Sequence, residues 1–220
     1  VFDDRSHAGR LLADRLSSER ITASIVLAIP RGGVPVAAEI DERLGVPLDV
    51  ILVRKLGLPF QPEVAMGAVG EGDVRIVDVD LALRAGVTAA ELSEVERRER
   101  EVLEHRRMTL RGERPRRDLT GQDVLVVDDG IATGATAEAA CKVARRLGAV
   151  HVIVAAPVGA REALDRIPDA DRIVCLETPA VFRAVGNHYR HFAQTTDAEV
   201  MRLLRRADGS GPGLIRRGRR

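Results

Sequence analysis

The apolar positions along the chain follow two recurring patterns. Asp4 to Leu16 sets Ala8, Leu11, Leu12 and Leu16 at helical spacing and predicts an amphipathic helix. Ser24 to Ile29 is a short, nearly unbroken apolar run, the pattern of a strand covered on both faces. Pro30-Arg31-Gly32-Gly33 interrupts it. Val34 to Leu44 then returns to helical spacing until Gly45 and Pro47 stop it. Leu48 to Val53 predicts a second covered strand. Arg54 to Glu63, with Gly57, Pro59 and Pro62, reads as a loop. Val64 to Val69 and Val74 to Val77 predict a small antiparallel pair around Gly70-Glu71-Gly72-Asp73.

Thr88-Ala89-Ala90-Glu91 is a capping box that opens a charged helix running to about Arg111. A polar, basic connection follows to Gln122. Strands are then expected at Val124–Val127, Val150–Ala155 and Arg172–Leu176, with helices at Ala135–Leu147, Gly159–Ile167 and Asp197–Arg206. Ala207 to Arg220 carries four glycines, a proline and four arginines, and is expected to be a disordered tail. Strands alternating with helices predict an α/β fold with a parallel sheet covered on both faces. Residues 1–206 form one expected domain, with a helical insertion at about 88–111.

Composition narrows the function classes. A chain of 220 residues suits one domain with a sizeable core. A formal net charge of +1 gives no bulk attraction for polyanions. No apolar run approaches the roughly 20 residues of a membrane helix, and VFDDRSHAGR lacks the apolar stretch of a signal peptide. Cys141 and Cys175 have no metal-type spacing and read as reduced core residues of a cytoplasmic protein. Acids and bases alternate along 89–111, which predicts a solvated or subunit-contacting face rather than a nucleic-acid site. The tail arginines Arg216, Arg217, Arg219 and Arg220 read as part of a plain disordered end. Aromatic residues are scarce, and Phe182, Tyr189 and Phe192 crowd into one short segment.

Ligands of open parallel sheets sit beyond the carboxyl ends of the strands. The run Val124–Val127 delivers Asp128 and Asp129 to such an end. Two adjacent carboxylates are costly without partners, and a sugar diol or a hydrated magnesium ion would supply them. Gly130 permits a sharp turn. Thr133-Gly134-Ala135-Thr136 then begins a helix, whose free N–H groups and dipole favour a phosphate. A sugar 5-phosphate fits that layout, as would the ligand of another sugar-phosphate or nucleotide-binding α/β protein.

The full string VLVVDDGIATGAT closely resembles the signature with which type I phosphoribosyltransferases bind 5-phosphoribosyl 1-pyrophosphate (PRPP). LAIPRGGVPVAAEI, VRKLGLPFQPEVAMGAV and FRAVGNHYRHFAQTTDAEV resemble a little-characterised bacterial branch of that family, and with the signature they reach from Leu27 to Val200. The resemblance implies a Rossmann-like core of five parallel strands with a small hood, placed at about 177–206. It implies transfer of ribose 5-phosphate from PRPP to a nitrogenous base or related acceptor, with release of pyrophosphate and with Mg2+ accompanying PRPP. Asp128 and Asp129 would hold the ribose hydroxyls and meet the metal through water. Gly130 would form the turn, and Ile131, Ala132, Thr133, Gly134, Ala135 and Thr136 would hold the 5-phosphate. Asp128 would also steady the ribosyl cation.

Arg31, Gly32 and Gly33 resemble the family's pyrophosphate loop, with a non-proline cis peptide expected at Arg31–Gly32 or just before. Lys55, after Arg54, would stabilise the leaving group ahead of a mobile loop, Leu56–Glu63. Phe182 and Tyr189, with His188, His191 and Phe192, are candidates to stack on the base. Ala132 stands where 6-oxopurine enzymes place an Asp, which argues against hypoxanthine and guanine and leaves adenine and orotate open. The expected partners are PRPP, a small planar acceptor and a second copy of the chain, with no membrane or nucleic acid. The rival class is a non-catalytic PRPP-binding regulator, against which the intact Arg31, Lys55 and loop weigh.

Overall fold

Alternation within the short apolar runs sets the architecture. Ile25–Ala28 (β1) sends Val26 and Ala28 to one face and Ile25 and Leu27 to the other, and all four are buried. Asp123–Val127 (β6) does the same with Leu125 and Val127 against Val124 and Val126. Strands buried on both faces belong in the middle of a parallel sheet. In the computed structural model, which describes residues 1–209, β1 pairs with β6 in parallel, Val26 opposite Leu125. Leu48–Val50 (β2), His151–Val158 (β7) and Arg172–Glu177 (β8) complete a five-stranded sheet of order β2-β1-β6-β7-β8, parallel throughout.

One face is covered by Arg5–Ser18 (α1), Gly33–Leu44 (α2) and Asp197–Ala207 (α7), through Leu12, Leu16, Val36, Ile40, Val200 and Leu204. Ala135–Arg146 (α5) covers the other through Ala140, Cys141 and Val143. Cys141 and Cys175 are both free thiols. Burial pushes Cys141 up to about 12 and Cys175 up to about 11.

The segment after β2 departs from expectation. The predicted strand Leu48–Val53 breaks after Val50, and the predicted loop Arg54–Glu63 is largely a hairpin. Val53–Leu58 (β3), Gln61–Gly70 (β4) and Val74–Val77 (β5) form a three-stranded antiparallel sheet. Leu56 and Leu58 are buried beneath it. The glycine and prolines that suggest a loop are accommodated by an irregular register around Leu56–Leu58. A Cβ on Gly57 would come within 2.4 Å of the Pro62 carbonyl oxygen, so the two strands approach more closely there than a side chain allows.

Val79–Arg84 (α3), capped by Asp78, is a short helix that the apolar spacing does not announce. Ala89–Leu110 (α4) forms with its capping box as predicted. Arg161–Leu164 (α6) is shorter than expected. The hood expected at about 177–206 is instead the small antiparallel sheet β3-β4-β5, and residues 177–206 hold the end of β8, a 3-10 turn at Val185–His188 and α7. The tail from residue 210 lies outside the described residues. Among the described residues, no helix is long and apolar enough to cross a membrane.

A buried ionic cluster ties the two sheets to α4. Arg111, just past α4, donates from Nη1 to both oxygens of Asp49 on β2 at 3.0 Å. It donates from Nε to Glu71, in the β4–β5 turn, at 2.7 Å, and from Nη2 to the Val50 carbonyl at 3.0 Å. The three side chains are 3%, 1% and 6% exposed. Removing the guanidinium strands two buried carboxylates. Arg111→Leu is therefore expected to lower the unfolding free energy by about 3–5 kcal/mol, read from urea midpoints. The triple variant Arg111→Leu, Asp49→Leu, Glu71→Leu should recover most of that loss.

Candidate active site

β6 carries Asp128 and Asp129 to the carboxyl end of the central sheet, where their two charges meet unequal surroundings. Asp129 Oδ2 accepts a hydrogen bond from Arg5 Nε at 2.7 Å, in a largely buried pair. Arg5 is held in turn by the Ala193 carbonyl at 2.7 Å, and its guanidinium lies 3.9 Å from the Phe192 ring centroid. The Tyr189 hydroxyl donates to the Asp129 carbonyl at 2.5 Å. Asp128 accepts a hydrogen bond from the Asp129 N–H at 2.8 Å and, among the described residues, has no ion pair. Loss of solvent, then the neighbouring Asp129 charge, pushes the Asp128 carboxyl well above the usual carboxylate range. One acid is thus neutralised by a guanidinium, while the other is short of positive charge.

The turn beyond them is closely packed. Ile131 is fixed by its N–H to the Val158 carbonyl at 2.9 Å. A Cβ on Gly130 would lie 2.5 Å from Val185. Gly134 has φ +80°, and a Cβ there would lie 2.5 Å from the Ala163 carbonyl oxygen. Gly134 gives α5 no side-chain cap, and the Thr133 hydroxyl reaches the Ala135 N–H only at 3.5 Å. The first turn of α5 therefore presents N–H groups outward, beside the exposed Ala132, Thr133 and Thr136.

The second glycine loop lies directly against this turn. The Pro30–Arg31 peptide is cis, one residue before Arg31–Gly32. A Cβ on Gly32 would fall 2.1 Å from Asp129 Oδ2, and one on Gly33 would fall 2.4 Å from the Val127 carbonyl oxygen. Gly32 thus meets the Asp129 side chain, and Gly33 the Val127 backbone, across nearly a hundred positions of sequence.

Between these loops, the β3–β4 hairpin and α4 is a cavity of about 950 Å³. Pro30, Asp128 and Thr136 line it from the sheet edge, Lys55 from β3, and Arg98 and Arg106 from α4. Lys55 pairs with Glu63 across the hairpin at 2.8 Å, and Arg54 with Glu99 of α4 at 2.6 Å. Part of α4 is therefore a wall of the cavity rather than a wholly solvated face. The expected alternating pairs occur beside it, Arg97 with Glu101 at 2.6 Å among them.

The aromatic residues serve a different surface. Tyr189 is buried between Phe2, at 5.5 Å, and Phe192, at 5.0 Å. Phe182 is half-buried and stacks on His188 at 5.4 Å. Neither borders the cavity described above. Arg5 and Arg106 are the site residues that sequence reasoning missed. Arg5 belongs to no motif, and Arg106 is one cation among many in a charged helix.

The model of the phosphoribosyl transferase domain family matches residues 53–189. Two Mycobacterium tuberculosis proteins, MT0597 and Rv0571c, have names that assign them provisionally to the phosphoribosyl transferases. Each is 51% identical over 208 residues, which is 94% of this chain and 47% of the relative. The chain thus spans about half the length of these curated relatives. The crystal structure of TT1426 from Thermus thermophilus is 45% identical, with a TM-score of 0.84 over 92% of this chain and 97% of that one. With a matching family model, relatives aligned along nearly its whole length and a five-stranded parallel core beside a small antiparallel hood, the chain belongs to the phosphoribosyltransferase family.

Proposed function

We propose that the protein moves ribose 5-phosphate from PRPP to a nitrogenous base or related planar acceptor and releases pyrophosphate. The observation that carries this reading is the contact of the Gly32 backbone with the Asp129 carboxylate. It sets a loop suited to pyrophosphate beside acids suited to ribose, with the open turn of α5 close by for a 5-phosphate.

In this reading Asp128 and Asp129 bind the ribose hydroxyls. Residues Gly130 to Thr136 wrap the 5-phosphate, and Arg31, Gly32, Gly33 and Lys55 hold the pyrophosphate. An acceptor nitrogen forms its bond to C1 as the bond from C1 to the pyrophosphate oxygen breaks. The bonding electrons leave with pyrophosphate, and the acceptor's proton passes to solvent. Asp128 faces the positive charge that develops on the sugar, and Arg31 and Lys55 face the negative charge on the leaving group. Lys55 lies on the hairpin, so a tilt of that hairpin would close the site against water.

Mg2+ fits the donors present. Arg5 only partly offsets the loss of solvent and the Asp129 charge at Asp128. Among the described residues, no cluster of three or more His, Cys, Asp or Glu side chains gathers for a metal. Two carboxylates suit an ion held mainly by substrate phosphates and water, and such an ion would neutralise charge on the pyrophosphate. Phe182 is the more available of the two aromatic candidates for the acceptor, since both faces of Tyr189 are packed. A cytoplasmic homodimer completes the reading. Val79, Leu83, Val102 and Met108 form exposed apolar surface on α3 and α4 suited to a second copy, and both thiols are free.

Incubation with Mg-PRPP and a panel of bases including adenine and orotate should release pyrophosphate with at least one of them. Tight PRPP binding without release for any base would instead establish a regulator. The double variant Asp128→Asn, Asp129→Asn should weaken PRPP binding by more than about a hundredfold, the loss of two charged contacts. Retained binding would displace the site. Gly32→Ala forces its new methyl into the Asp129 carboxylate and should weaken PRPP binding about tenfold or more. An unchanged dissociation constant would separate the glycine loop from ribose binding.

A further inference from the structure

Three guanidinium groups converge where the cis loop approaches α4. Arg31 comes from the loop, Arg54 from β3 and Arg106 from α4. Arg54 is paired with Glu99 at 2.6 Å, and Arg31 reaches Asp197 at 3.5 Å. Arg106 makes no hydrogen bond or ion pair with any described residue. It is half-buried, and it borders both the cavity of about 950 Å³ and an adjoining one of about 410 Å³ that Arg31 and Asp197 also line. Its position on α4 follows from helical spacing. Glu91, Val95, Arg98 and Glu99 precede it at intervals that keep one edge of the helix toward the cavity.

Gathering like charges away from water is unfavourable, and the arrangement registers that. Burial, then the charges of Arg54 and Arg31, hold the Arg106 guanidinium below its usual range, with Asp197 only partly opposing them. Among the nearby carboxylates, Glu99 and Asp197 are engaged by Arg54 and Arg31, and Glu101, which shares the smaller cavity, by Arg97. What would relieve the remaining charge is an anion with several oxygens and more than one negative charge, approached by planar donors from different directions. A diphosphate meets that description. A monophosphate is already suited by the open turn of α5.

We propose that Arg106 binds the pyrophosphate group of PRPP, and the pyrophosphate released from it, together with Arg31 and Arg54. The identity of the anion rests on the phosphoribosyl-transfer reading above. The helical insertion at 88–111 is then a binding element of the active site, supplying a contact that neither glycine loop provides.

The test is calorimetric titration of the full chain with inorganic pyrophosphate plus Mg2+ and, separately, with ribose 5-phosphate. Arg106→Gln should weaken pyrophosphate binding about tenfold or more, the scale of one lost charged contact. Ribose 5-phosphate affinity should stay within about twofold. Arg106→Lys should recover only part of the loss, because an ammonium keeps the charge but not the fork. Pyrophosphate binding by Arg106→Gln equal to wild type would overturn the proposal, as would an equal loss for both ligands or a wild-type protein that does not bind pyrophosphate. A wild-type protein that binds pyrophosphate but neither ribose 5-phosphate nor PRPP would overturn the transfer reading instead. The weakened pyrophosphate binding of Arg106→Gln would then still uphold the anion site.

Discussion

Arg111, sealed between Asp49 and Glu71, sets the relation between the two halves of the molecule. Asp49 belongs to the edge strand of the parallel sheet, Glu71 to a turn of the antiparallel sheet, and Arg111 to the end of the long helix. Apolar packing holds surfaces together without fixing their angle closely. A guanidinium with five donors in a planar fork does fix it, since each carboxylate must lie in the plane of its bond. The cavity opens between the same elements that this cluster joins, so the positions of Lys55, Arg98 and Arg106 relative to Asp128 depend on it. The cluster has structural rather than chemical work, and it uses charge because charge is directional.

At the site the problem is reversed. Two acids emerge side by side from one strand, and only one is given a cation by the protein. Arg5 pairs with Asp129, while Asp128, half-buried, lines the cavity. On the opposite wall the surplus is positive, among Arg31, Arg54 and Arg106. The site is therefore polarised, with two carboxylates at the sheet edge and a gathering of guanidinium groups at the hairpin and helix end. In the proposed reading, the positive charge that develops on the sugar and the negative charge on the leaving group match both ends better in the transition state than in the ground state.

Much of this was legible in the sequence, for identifiable reasons. The core strands are short and buried on both faces, so their composition alone marks them, and the parallel order follows from the helices between them. The string from Val124 to Thr136 places acids, turn and helix start in consecutive positions, so its chemistry is local and readable. The hairpin at Arg54–Glu63 was hidden because its prolines and glycine sit at an irregular register that only the partner strand defines. Arg5 was hidden because its role depends on a contact 124 residues away. Tyr189 was legible as part of an aromatic cluster but not as a brace for the Asp129 carbonyl, since a hydroxyl's partner cannot be read from spacing.

That brace belongs to a larger closure. Phe2 bridges to Tyr189 as a single parallel rung, with the Phe2 N–H on the His188 carbonyl and the Arg190 N–H on that of Phe2. Arg5 reaches both Asp129 and Ala193, contacts spanning 124 and 188 positions of sequence. Contacts of such span are won only after the intervening chain has been ordered, because closing the loop costs entropy that local structure does not repay. The parallel sheet already joins segments about a hundred positions apart, Val26 with Leu125 among them. The acidic turn adds residues 2–5 and 189–193 to that network, so its geometry is a report on whether the whole of this fold is assembled.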